Sequence, residues 1–164
     1  VVRETRIDLA RQDLLAALKT PEFSESWLAS RRAEVLRFVD DVPGPYPQLT
    51  AVWHTIASDW LSALEQGLQR WKSASAGEPE RSAQSFRRDF ALMKDWLNLP
   101  LAAASETADY QSIALGLEHL ESEMEAFLLQ RDTERVAQAA AAEAARLRRN
   151  NKRLMSLPPA CARN

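Results

Sequence analysis

Apolar residues in this chain recur at intervals of three and four, and Ala and Leu outnumber the β-branched residues, so the pattern predicts helices throughout. No stretch reads as a credible strand. A first helix is predicted over residues 8–19, with Ile7, Leu14 and Leu18 on one stripe. It should end before Pro21, because the residue ahead of a proline avoids the helical region. Thr20 is placed to cap the next helix. That second helix can begin at Pro21 or behind a Ser24 cap and reach Val39, burying Phe23, Trp27, Leu28, Val35 and Phe38. The run Val42-Pro-Gly-Pro-Tyr-Pro47 breaks it.

The third helix, over residues 48–72, has the clearest seam: Leu49, Trp53, Ile56, Trp60, Leu64, Gly67 and Trp71 alternate steps of four and three. After a small-residue, polar linker over residues 73–80, Phe86, Phe90, Met93 and Leu97 define a fourth helix ending near Pro100. The connections are short, so successive helices should pack antiparallel.

Residues 107–155 contain no proline and a single glycine, Gly116. One helix could therefore run for about 70 Å. Its first part shows Tyr110, Ile113, Leu117, Leu120, Met124 and Phe127 as a core-type seam. Beyond Arg131 the apolar positions thin to Val136, Ala140, Leu147 and Leu154, with the phase slipped, which predicts a stutter or kink near residues 131–133. Asp132 or Thr133 could then cap a restarted helix. The fold expected is all-α: an up-and-down helical bundle over residues 1–130, a basic, Ala/Arg-rich helical arm over 131–155 that is amphipathic and coiled-coil-like, and a flexible tail over 156–164.

Charge sharpens this division. Residues 101–130 carry six acids and no Lys or Arg, whereas residues 131–164 carry eight Lys or Arg against three acids. At 100° per residue, Arg146, Arg148, Arg149, Lys152 and Arg153 fall on an arc opposite Val136, Leu147 and Leu154. One face can pack on a partner helix while the other meets phosphates, an acidic protein surface or the acidic stretch 118–125 of a neighbouring copy. The plain alternative is favourable cationic charge at a helix C-terminus. Residues 137–145 are almost all alanine, which makes helix without making core.

Composition narrows the chemistry. The chain is 46% hydrophobic and 27% charged with net charge −2, its mean hydropathy is −0.36, and no apolar run approaches the length of a membrane span. The residues up to Asp8 lack the features of a targeting segment, and the leading valine fits a processed chain or a fragment. The lone cysteine, Cys161, allows no intrachain disulfide or cysteine metal cluster, and a reducing, cytoplasmic location is expected.

Only two histidines occur, and neither follows a glutamate by three residues as a ferritin-type di-iron site requires. His119 and Glu123 share a face but should point to solvent. His54 with Ser58 or Asp59 matches a triad in residue type alone. Glu118, Glu121, Glu123 and Glu125 are expected to form a solvated or partner-facing acidic surface, since catalytic carboxylate pairs need unlike environments. No phosphate loop or nucleophile motif is present. Trp53, Trp60 and Trp71 read as core packing before ligand pocket.

These readings converge on a non-enzymatic interaction, adaptor or scaffold subunit without a cofactor. It would bind a protein partner or form a homo-oligomer through Val136, Ala140, Leu147, Leu154, Arg146, Arg149 and Arg153. A nucleic-acid-associated regulator using the basic helix is the alternative, and a ligand-binding or enzymatic domain around the tryptophan seam is the third.

Overall fold

The computed structural model describes residues 2–19, 21–22, 24–74, 79–99, 101, 107–156 and 158. Five helices occur among them: α1 (Val2–Ala17), α2 (Glu25–Asp41), α3 (Pro47–Ser73), α4 (Pro79–Leu97) and α5 (Ala108–Met155). No strand is found among the described residues, so the fold is an all-helical bundle with a long C-terminal helix. The chain divides into two compact units, Val1–Met124 and Glu125–Asn164.

Local chemistry sets both ends of α2 and the start of α3. Ser24 adopts an extended backbone (φ −87°, ψ 151°), and its hydroxyl oxygen accepts the Trp27 N–H at 3.2 Å, satisfying one of the unpaired amides at the start of α2. The predicted Phe23 contact lies outside the described residues, as does Thr20. α2 closes at Val42, whose extended backbone still donates its N–H to the Phe38 carbonyl. The Gly44–Pro45 bond is cis, and the Tyr46 hydroxyl donates to the Val42 carbonyl, with the Val39 carbonyl a second acceptor at 3.3 Å. Pro47 then opens α3 where its missing N–H costs nothing.

α1 starts six residues ahead of its predicted N-terminus. Residues 3–6 are helical yet exposed, so they carry none of the apolar periodicity from which the start is read. Glu4, in the first turn, complements the helix dipole.

In the first unit, α2 packs against α1 and α4, and α4 against α3. Along α3 and α4, Trp53 meets Trp96 while Trp71 meets Phe86, so these two helices run antiparallel. The predicted seam is buried at Leu49, Trp53, Ile56, Trp60 and Leu64, with Leu68 added behind it. α4 contributes Phe90, Met93, Trp96 and Leu97, and α5 contributes Ile113, Leu117, Leu120 and Met124. Full burial of an aliphatic or aromatic side chain stabilises by roughly 1.5–3 kcal/mol, which is why these positions hold the unit together. α5 comes close to a side chain of α3 at Gly116, where a Cβ would lie 2.7 Å from Leu61 Cδ2. Gly67, on the α3 seam, leaves ordinary room: a Cβ there would sit 3.6 Å from the Phe86 ring.

In the second unit the described residues up to Met155 belong to α5, and the helix does not stop and restart at residues 131–133. Thr133 caps nothing; its hydroxyl donates back to the Leu129 carbonyl at 2.9 Å, the bond a threonine makes inside a continuing helix. Asp132 pairs with Arg135 at 2.5 Å, and the Gln130 amide donates to Glu134 at 2.9 Å. These contacts one turn apart support the helix where its side chains supply no core.

Candidate functional site

The predicted interaction residues all lie on α5 in the second unit. Every residue from 132 to 156 is exposed. Val136 is 60% exposed, Leu147 53% and Leu154 66%, and Leu129, seven residues before Val136, is 70% exposed. Leu129 is missed in the sequence because it adjoins Phe127 and Leu128, which obscure the heptad spacing. Ala140 shares this face by helical phase and is exposed too. Arg149 lies on the opposite arc, whereas Arg146 and Arg153, each one residue before a leucine of the stripe, flank it. Arg146 pairs with Glu143 at 3.0 Å. Arg148, Arg149, Lys152 and Arg153 make no ion pair among the described residues, and Lys152 and Arg153 sit in the final turn, where the helix dipole favours cations.

The acidic stretch is not uniformly solvated or partner-facing, contrary to the sequence expectation. Glu123 accepts from Lys72 Nζ at 2.6 Å and from the Gln69 amide at 2.9 Å, and Glu121 pairs with Lys94 at 2.6 Å. These two carboxylates fasten α5 to α3 and α4. The Lys72 hydrogen bond, then that of Gln69, hold the Glu123 carboxyl below the usual carboxylate range. Glu118 is exposed. The i,i+4 partner considered for His119 is therefore already engaged by a lysine.

His54 is the buried polar group that sequence reasoning undervalues. It is 6% exposed, its ring lies 6.4 Å from that of Tyr110, and Nε2 has no hydrogen-bond partner among the described residues. Burial lowers its pKa, opposed by the nearby Asp109 carboxylate. A groove of about 380 Å³ opens beside it, lined by Thr55, Ser58, Asp59, Asp109 and Ser112. No hydrogen bond joins His54 to Ser58 or Asp59 among the described residues, so the directed chain of a triad is not assembled. The described residues include no group of three or more His, Cys, Asp or Glu placed to hold a metal ion.

A wider groove of about 820 Å³ runs between α1 and α2, with Ile7, Leu14 and Phe38 in its wall and Arg6, Asp13, Glu34 and Arg37 along it. Its charges are of mixed sign, and nothing in the spacing of α1 announces it. Trp53 and Trp60 are buried in the core and line neither groove.

No family model, curated protein or solved structure matches this chain. No helix among the described residues is long and apolar enough to cross a membrane.

Proposed function

We propose that this chain is a non-enzymatic helical interaction subunit, an adaptor or scaffold, in which the bundle is the body and the C-terminal part of α5 is the binding element. The observation that supports it is the exposure of Leu129, Val136, Leu147 and Leu154 on one face of the C-terminal part of α5. Large apolar side chains lined up on a solvent-facing stripe are the ordinary mark of a helix that packs on another. The surrounding alanines add helix propensity and permit close approach without offering a core of their own.

A second reading rests on the cations beside and behind the stripe: Arg148, Arg149, Lys152 and Arg153 are exposed to phosphates, which makes nucleic acid the alternative ligand. The net negative charge of the whole chain favours the protein-binding reading.

Affinity purification of the full chain beside the variant Leu147→Glu/Leu154→Glu tests this. Associations should be lost in the variant while its helical circular dichroism is kept. Associations that survive both substitutions, or that vanish only when salt rises and Arg149 and Arg153 are reversed, would transfer the function to another surface or to nucleic acid.

A further inference from the structure

Resting on the interaction role of the C-terminal helix, we infer that its partner is a second copy of this chain, lying antiparallel to the first. Leu129, Val136, Ala140, Leu147 and Leu154 fall on one continuous alternation of four- and three-residue steps, the spacing of a coiled-coil seam. All of them are exposed. Thr133, Glu143 and Asn150 complete the same row as its polar members. Such interruptions weaken a seam but fix its register.

The two rows flanking the seam decide the orientation. On one side stand Gln130, Ala137, Ala144 and Asn151, none of them charged. On the other stand Glu125 and Asp132, then Ala139, then Arg146 and Arg153. In a parallel pair the charged row of one helix faces the uncharged row of its partner, and no ion pair forms between them. In an antiparallel pair each row faces its own equivalent. The acidic first half of one copy then lies against the basic second half of the other, twice over by the two-fold symmetry. A single sequence thus carries both halves of a matched charge pattern, which a second copy satisfies without any other protein. In the single chain Asp132 and Arg146 hold exposed contacts one turn away, to Arg135 and Glu143, which are weak enough to exchange.

Sedimentation equilibrium of the full chain should show a dimer. Arg146→Glu/Arg153→Glu should weaken it by about tenfold or more by setting acid against acid. Adding Glu125→Lys/Asp132→Lys to that variant reverses the whole row and should restore the dimer, with circular dichroism confirming that each variant remains helical. Orientation is read from spin labels on Asn151→Cys in a Cys161→Ser background. An antiparallel pair holds the two labels about 25 Å or more apart, a parallel pair under about 20 Å. A dimer indifferent to charge reversal, or labels in close proximity, overturns the proposal. A monomeric chain whose binding to a different protein is lost in Leu147→Glu/Leu154→Glu overturns self-association alone. Associations that all survive those two substitutions overturn the interaction role with it.

Discussion

Trp53 and Trp96 are joined twice: their rings stack with centroids 3.4 Å apart and planes 3° from parallel, and the Trp53 indole N–H donates to the Trp96 backbone carbonyl at 2.8 Å. The bond ties the middle of the first unit to the end of α4, and Trp27 stacks on Trp96 at 5.9 Å. Trp53→Phe keeps a ring but removes the donor, leaving a buried carbonyl unpaired. A loss of about 1–3 kcal/mol is expected from that carbonyl, with a further cost for the missing ring volume. Chemical denaturation followed by circular dichroism measures it, and a change near zero would mean that water reaches the carbonyl.

His54 gives the stability a pH dependence of definite sign. Its folded pKa lies below the usual value of 6.5 because burial disfavours the imidazolium. Above pH 6.5 both folded and unfolded chains hold the neutral ring, and it contributes no slope. As the pH drops below 6.5 the unfolded chain takes up the proton first, so stability declines until the folded pKa is passed. One such group can add at most about 1.4 kcal/mol per pH unit. His54→Gln should flatten the stability profile just below pH 6.5, as measured by denaturation at a series of pH values. The Glu123 contribution is separable, being lost only as the pH falls through its own depressed pKa, below 4.5. Asp89, whose pKa burial raises, acts in the opposite direction at the acid end.

The Lys72–Glu123 pair should couple measurably because both side chains are about three-quarters buried, 27% and 24% exposed. A double-mutant cycle with Lys72→Met and Glu123→Gln is expected to give a coupling of about 0.5–1 kcal/mol that shrinks as salt is added. No coupling at low salt would show that α5 is held to α3 by its apolar seam alone.

The two helical glycines of the bundle should respond differently to alanine. Gly67→Ala places its methyl at ordinary contact distance from Phe86 and should stabilise by about 0.5–1 kcal/mol through helix propensity. Gly116→Ala brings its methyl to 2.7 Å from Leu61 Cδ2, so Leu61 has to turn aside and the same gain is offset. Equal gains in a side-by-side denaturation series would place Leu61 elsewhere.

The bulky seam of α3 is legible in the sequence because six large residues spaced at helical intervals along one stripe admit one buried face. Trp96 is not, because Leu97 beside it completes a narrow stripe and conceals that α4 is buried over a wider arc. The early start of α1 escapes because exposed helix has no apolar rhythm. Glu121 and Glu123 mislead for a different reason: a carboxylate beside a seam looks the same whether its lysine lies on its own chain or on another. The exposed stripe of α5 is largely legible, since alternating heptad steps survive even where alanine replaces leucine. His54 can be judged in the sequence by motif alone, and spacing along one helix says nothing about Tyr110 arriving from another.

All five tryptophans, at positions 27, 53, 60, 71 and 96, fall within Val1–Met124 and none within Glu125–Asn164. Indole emission is thus a private optical record of the bundle, blind to the fraying or zipping of residues beyond 124. Amide ellipticity registers both. Melting curves recorded by the two signals should therefore separate, and a dilution series should move the far-ultraviolet curve while the fluorescence curve stays in place.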